Sequence, residues 1–196
     1  MSAVLVIAAH PDLSRSRVNR VLLAAARDTA PDAVTVRDLY ALYPDYLVDV
    51  DAEQAALSAA HTVVWLHPLH WYAMPALMKL WIDDVLAHGW AYGHEGTALR
   101  GKQLLLAVTT GGTEATYQPG GTHEHPFESF LPPYRQTAAL CGMRFLPPRV
   151  VHGAHRLDEA AIAHAAESFA AHLRALAADP PRAPAPHAPT PAPGGA

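Results

Sequence analysis

The chain has a single cysteine, Cys141, so it can form no intramolecular disulfide, which fits a reducing cytoplasm. It has no apolar run approaching the roughly 18 residues of a membrane span. Its opening stretch, Met1 to Pro11, lacks the basic head and small-residue cleavage site of a secretory leader and reads as a strand. The loop after that strand has no GxGxxG, and the P-loop GK[ST] is missing too, which argues against a dinucleotide fingerprint and ATP or GTP chemistry. Neither HExxH nor paired cysteines accompany His67, His70, His123 and His125, so no metal is expected. Fourteen Lys and Arg against 18 Asp and Glu leave a formal charge of −4, which speaks against broad nucleic-acid binding. No internal repeat is present. The segment 180–196 holds seven prolines, five alanines and two glycines but no Val, Ile, Leu or aromatic residue. Such a stretch cannot offset its chain entropy by burial, so it is expected to be a disordered tail behind a single domain, 1–179.

What is present is apolar: 51% hydrophobic residues and 16% charged. Part of that excess is alanine; the rest points to a buried sheet or a large subunit interface. Apolar runs of strand length alternate with helical patterns. Val4 to Ala9, Val34 to Val36, Thr62 to Leu66, Gln103 to Val108 and Val150-Val151 read as strands. Val18, Val21, Leu22 and Ala25 mark one face of a helix that Ser14 or Ser16 caps. Residues 38–44 read as an irregular aromatic segment, and Asp51 as the cap of a short helix through Ala60. Pro75 opens a helix to about Ala87 that is apolar around most of its circumference. A further helix runs from Pro132-Pro133 to about Gly142, and Ile162, Ala165, Phe169, Leu173 and Leu176 face a last one. Five strands alternating with five helices predict an α/β domain with a parallel sheet.

In such sheets ligands bind beyond the carboxyl ends of the strands, and the unusual residues follow strands one, three and four. The first loop, His10 to Asn19, sets His, Ser, Arg and Asn over a helix N-terminus. That suits a phosphate monoester, and it equally suits ordinary capping. The second, His67 to Pro75, holds Trp71-Tyr72 between prolines, a stacking surface for a planar ligand or a plug over the core. The third, Thr109-Thr110-Gly111-Gly112 through Tyr117, permits close backbone approach or a tight turn. Together the three describe a site for a flat ring with a phosphate tail, a mononucleotide such as FMN.

At these residues the chain resembles the flavodoxin-like NAD(P)H:quinone oxidoreductases, and within them the KefF-type ancillary flavoproteins of glutathione-gated potassium efflux systems. The likeness runs from about residue 4 to 176. It is carried by Ala9-His10-Pro11 with Ser16 and Asn19, by Asp38-Leu39-Tyr40, and by His67-Pro68 with Trp71-Tyr72. It continues through Lys79-Leu80-Trp81-Ile82-Asp83, His88 to Gly93, Thr109 to Gly112, and Leu146-Pro147-Pro148. The resemblance implies a flavodoxin-like three-layer sandwich with a five-stranded parallel sheet in the order 2-1-3-4-5. It also implies FMN as cofactor, a homodimer, and two-electron hydride transfer from NAD(P)H through FMN to quinones.

Carried over residue by residue, His10, Ser16, Arg17, Val18 and Asn19 would hold the phosphate. Leu69, His70, Trp71 and Tyr72 would meet the flavin ring, with Thr109, Thr110, Gly111 and Gly112 closing over its pyrimidine side. Tyr117 and His123 keep the intervals at which the animal quinone reductases place a catalytic Tyr and His. Tyr92 and His94 would be presented to the substrate pocket by the second subunit. The resemblance also implies an alternative, a regulatory subunit of a K+/H+ efflux antiporter that retains quinone reductase activity and sits at the inner face of the membrane. Cys141 is expected to be an inert buried thiol, and His61, His152, His155, His164 and His172 to lie on surface loops or helix faces.

Overall fold

A computed structural model of the chain describes residues 3–179. The expected tail, 180–196, lies outside the described residues. The elements in order are β1 (Val4–Ala8), α1 (Val18–Asp28), β2 (Val34–Asp38), α2 (Leu39–Leu42), α3 (Val50–Ala59) and β3 (Thr62–Pro68). They continue as α4 (Ala76–Val85), β4 (Gln103–Thr109), α5 (Pro132–Leu140), β5 (Arg144–Phe145), β6 (Arg149–Val151) and α6 (Glu159–Ala178). All strand pairings are parallel, and the sheet order is β2-β1-β3-β4-β5, the order 2-1-3-4-5 of a flavodoxin-like fold.

The fifth strand differs from the sequence expectation. It is two pieces, β5 and β6, both paired to β4. Leu146-Pro147-Pro148 separates them, because prolines have no N–H to give to a ladder. β2 runs two residues past Val36, since Arg37 and Asp38 stay in register with Ile7 and Ala8. Their side chains find ion partners, Arg37 Nε with Glu53 at 2.6 Å and Asp38 with Arg27 at 3.1 Å. Residues 39–42 of the supposed irregular segment form one helical turn. The cap of α3 is Asp49, not Asp51: its carboxylate accepts from the Ala52 amide at 3.0 Å, and Asp51 falls in the first turn beside the helix dipole. Helix α4 stops at Val85, short of Ala87, and α5 at Leu140, two residues before Gly142 at φ +68°.

Strands β3 and β4 are buried along their whole length, so side chains alternate between two cores. Leu5, Ile7, Trp65, Leu104 and Leu106 pack with Leu77 and Trp81 of α4 and Tyr134 of α5. Val4, Val6, Val64, Leu66 and Leu105 pack with Leu22 of α1 and Phe169 and Leu173 of α6. Each such side chain removed from water contributes about 1.5–3 kcal/mol. Helix α4 spends its apolar residues inside the subunit: Leu77, Met78, Trp81 and Val85 are buried, while Leu80 and Ile82 are only half-exposed. The broad apolar face expected to be left over for a partner is therefore narrower than the sequence implied. Cys141 is buried at the end of α5, and burial pushes its thiol pKa up, as expected of an inert thiol.

Candidate active site

Strands β1, β3 and β4 all end at one edge, and a cleft of about 500 Å³ opens there. It is lined by ten of the residues singled out in the sequence: His10, Ser16, Arg17, Val18 and Asn19 from the first loop, Leu69 and His70 from the second, Thr109, Thr110 and Gly111 from the third. Ser16, not Ser14, is the cap of α1: its Oγ accepts from the Asn19 amide at 3.2 Å. Ser14 belongs to a preceding tight turn, where its amide and hydroxyl both donate to Asp12. Asn19 is buried and joins two loops, its Nδ2 donating to Thr109 Oγ1 at 2.9 Å and to Ser16 Oγ at 3.3 Å. Asn19 Oδ1 is buried with no partner. Among the described residues the backbone N–H groups of Arg17 and Val18 have no acceptor, which is how the first turn of a helix meets an anion. The Arg17 side chain turns away from the cleft to Glu159, 2.7 Å distant, so this residue offers its amide and not its guanidinium.

His10 Nδ1 accepts from the Asp12 amide at 3.1 Å, which puts the ring hydrogen of the neutral form on Nε2. Burial, and then the neighbouring His70, lower the His10 pKa, and burial lowers that of His70. Both rings are therefore neutral donors and acceptors near pH 7.

The second loop is a two-residue turn closed by His70 and Ala73, each amide donating to the other's carbonyl at 2.9 and 3.0 Å. Trp71 and Tyr72 occupy its centre at φ +48° and +64°. Such turns normally carry Asn and Gly, and non-glycine residues held there cost on the order of 1–3 kcal/mol each. Trp71 is 90% exposed at the tip. Among the described residues the Trp71 and Tyr72 amides have no acceptor.

Gly112, Tyr72, Tyr117 and His123 stand outside the cleft lining, on its flank, in one aromatic cluster. Tyr117 and His123 stack with ring centroids 4.2 Å apart. Tyr72 stacks on Phe130 at 4.9 Å and places its hydroxyl 3.4 Å from His123 Nδ1. A Cβ on Gly112 would sit 2.5 Å from His123 Nε2 and 2.6 Å from Thr116 Oγ1, so the close packing there requires glycine. Burial raises the Tyr117 pKa, so its hydroxyl keeps its proton and acts as a donor. Tyr92 rests edge-on against His88, and neither it nor His94 lines the cleft of this subunit.

Two histidines expected on the surface belong here. His152 Nδ1 lies 3.0 Å from Thr110 Oγ1, and its ring tilts against Tyr117 at 5.5 Å. Burial lowers its pKa, while Glu114 and Glu128 oppose the shift. His155 lines the cleft beside Gly111. His172, on a face of α6 as expected, is half-buried and accepts from Arg149 at 3.3 Å. Pro11, Asp12, Arg15, Pro68 and Ala154 complete the cleft wall. The signal for His152 and His155 was available: Val151 to His155 is the carboxyl-end loop of the last strand. That loop is zipped to the third by Ala154 N to Thr110 O (2.9 Å) and Gly153 N to Gly112 O (2.8 Å).

Among the described residues no group of three or more His, Cys, Asp and Glu could hold a metal ion. None of the described helices is long and apolar enough to cross a membrane.

A family model described as a flavodoxin-like fold matches residues 2–173, and the chain belongs to that family. General stress protein 14 of Treponema denticola, solved in complex with FMN, is 37% identical, with a TM-score of 0.83 over 89% of this chain and 99% of its own. A structure described as a thermophilic tryptophan halogenase from Streptomycin violaceusniger is 39% identical, with a TM-score of 0.82 over 86% of this chain and 97% of its own. An NADPH-quinone reductase from P. pentosaceus is 29% identical, with a TM-score of 0.78 over 87% of this chain and 97% of its own.

Proposed function

We propose that this member of the flavodoxin-like family is an FMN-dependent NAD(P)H:quinone oxidoreductase. The observation that carries the reading is the pairing of two sites at one sheet edge. An anion seat of free amides at the start of α1 lines the cleft, and the Tyr72, Tyr117 and His123 rings flank it. The relatives that bind FMN or are called quinone reductases support it. The residues present fit the group. The Arg17 and Val18 amides, Ser16 Oγ and His10 Nε2 would hold the phosphate, and the buried Asn19–Thr109 bond keeps that loop in place. The amides of Trp71, Tyr72, Gly111 and Gly112 would meet the edge and face of the ring.

Bound FMN supplies a carrier that takes a hydride from NAD(P)H and passes two electrons to a quinone. The chain does the rest. Its amides, fixed before the reaction, would face the negative charge that develops and need no reorganisation. Tyr117 and His123 would donate hydrogen bonds, or a proton, to the oxygen that becomes charged. The ring stack holds His123, and the Thr110 hydroxyl, donating to Gly112 O at 2.8 Å, fixes the turn under them. Stacking both substrates in turn on one surface supplies the proximity term, about 7 kcal/mol or more in favourable geometry.

The same reading includes a homodimer in which Tyr92 and His94 reach the partner's pocket; the exposed Leu47 and Trp71 are apolar contacts open to it. The antiporter-subunit reading rests on the sequence resemblance alone, and copurification with a membrane partner tests it. Acid release of flavin from purified protein tests the main reading. It should yield FMN, and the protein should oxidise NAD(P)H rapidly only when a quinone is added; release of FAD, or no flavin after reconstitution, overturns it.

A further inference from the structure

A second cavity, of about 530 Å³, lies between α6 and the β4–β6 edge and shares no lining residue with the cleft described above. Pro148 and the whole of β6, Arg149 to Val151, line it on the sheet side. One helical face of α6, Ala161, His164, Ala165 and Ser168, forms one wall. Leu22, Ala107, Val151, Leu157 and Phe169 make most of the remainder apolar, and Glu114 and His152 are its polar members.

Into this wall comes Arg149. Its Nη2 donates to Ser168 Oγ at 2.7 Å and its Nη1 to His172 Nδ1 at 3.3 Å. Both partners are neutral acceptors; burial and the adjacent guanidinium hold the His172 pKa down. Among the described residues the ion pairs are Arg17–Glu159, Arg27–Asp38, Arg37–Glu53 and Lys79–Asp83, and none of them reaches Arg149. A half-buried guanidinium fixed by two neutral groups keeps its charge and three further N–H donors without a carboxylate. Fork-shaped donors beside a largely apolar wall suit a carboxylate on an aliphatic body.

We propose that this cavity is a second binding site, for a medium-chain aliphatic carboxylate, with Arg149 holding the carboxylate and the α6 wall holding the chain. The site lies one residue from the catalytic region: His152 lines it and bonds to Thr110.

Octanoate and octanol, titrated calorimetrically into the full-length FMN-loaded protein, test the proposal. Octanoate should bind one site per chain without displacing FMN, and at least tenfold tighter than octanol. Arg149→Met should weaken octanoate at least tenfold and leave octanol unchanged, while Arg149→Lys, which keeps the charge and loses the fork, should fall between Met and wild type. Ala165→Phe fills the cavity without touching the charge and should abolish both. It also serves if Arg149→Met fails to fold. Equal affinity of octanoate for wild type and Arg149→Met, competition with FMN, or no octanoate binding to the folded wild type each overturns the proposal.

Discussion

At the level of single residues, the proposed phosphate seat and the proposed catalytic pair are separable by mutation. Ser16 Oγ is both the cap of α1 and a wall of the cleft, and Asn19 ties that wall to Thr109. Asn19→Ala removes a buried donor and leaves Thr109 unpaired, a loss of about 1–3 kcal/mol. FMN affinity, read by fluorescence quenching of free flavin, should fall about tenfold or more, with the fold retained by circular dichroism. Tyr117→Phe and His123→Gln should instead bind FMN normally and slow its reduction by NAD(P)H about 10- to 100-fold, the size of one lost hydrogen bond to developing charge. Rapid-mixing absorbance reports it; wild-type rates in both variants would leave positioning by the loops as the source of rate. Single residues were legible where chemistry and chain order coincide, as with His10, Thr110 and Gly111. They were hidden where the partner is remote: nothing local marks Glu159 as the mate of Arg17, 142 positions away. His152 was missed because two valines and a histidine look like an edge strand and a surface ring.

Among the elements, the sheet and its helices were legible because periodicity is a local signal, and both buried strands, β3 and β4, read as continuous apolar runs. Their ends were not, because caps and breaks depend on single hydrogen bonds: Asp49 instead of Asp51 caps α3, and two prolines split the last strand. The Trp71-Tyr72 turn shows what a sequence hides most completely. A Trp-Tyr pair gives no sign of left-handed backbone, yet both residues adopt it. Replacing the pair by Asn-Gly should relieve the strain and stabilise the protein by about 1–3 kcal/mol, raising Tm by roughly 2–4 °C per kcal/mol. The same variant should lose quinone turnover, because it removes both rings. Calorimetric scans and steady-state assays on one preparation would separate the two effects; a Tm below that of wild type would show that the turn is not strained.

For the whole molecule, stability should fall in mild acid. His67 is fully buried, donates from Nδ1 to the Pro68 carbonyl at 2.9 Å, and stacks on Tyr134, with Nε2 unpaired. Loss of hydration drives its pKa from 6.5 down to about 4, so it is neutral in the folded chain at pH values where the unfolded chain binds a proton. The contribution is therefore whole above pH 6.5 and shrinks as pH falls towards 4, by about 3 kcal/mol at 1.36 kcal/mol per pKa unit. Urea midpoints between pH 4 and 7 should trace that slope, and His67→Leu should flatten it; an unchanged slope would place the acid sensitivity elsewhere.

The proposed function requires hydride to pass through FMN seated at the edge where β1, β3 and β4 end. The most direct measurement is anaerobic double-mixing stopped flow on the FMN-loaded protein. NAD(P)H should bleach the flavin absorbance, and a quinone mixed in afterwards should restore it, with the slower step matching steady-state turnover. Bleaching that a quinone cannot reverse, or no bleaching by either nicotinamide, would contradict it.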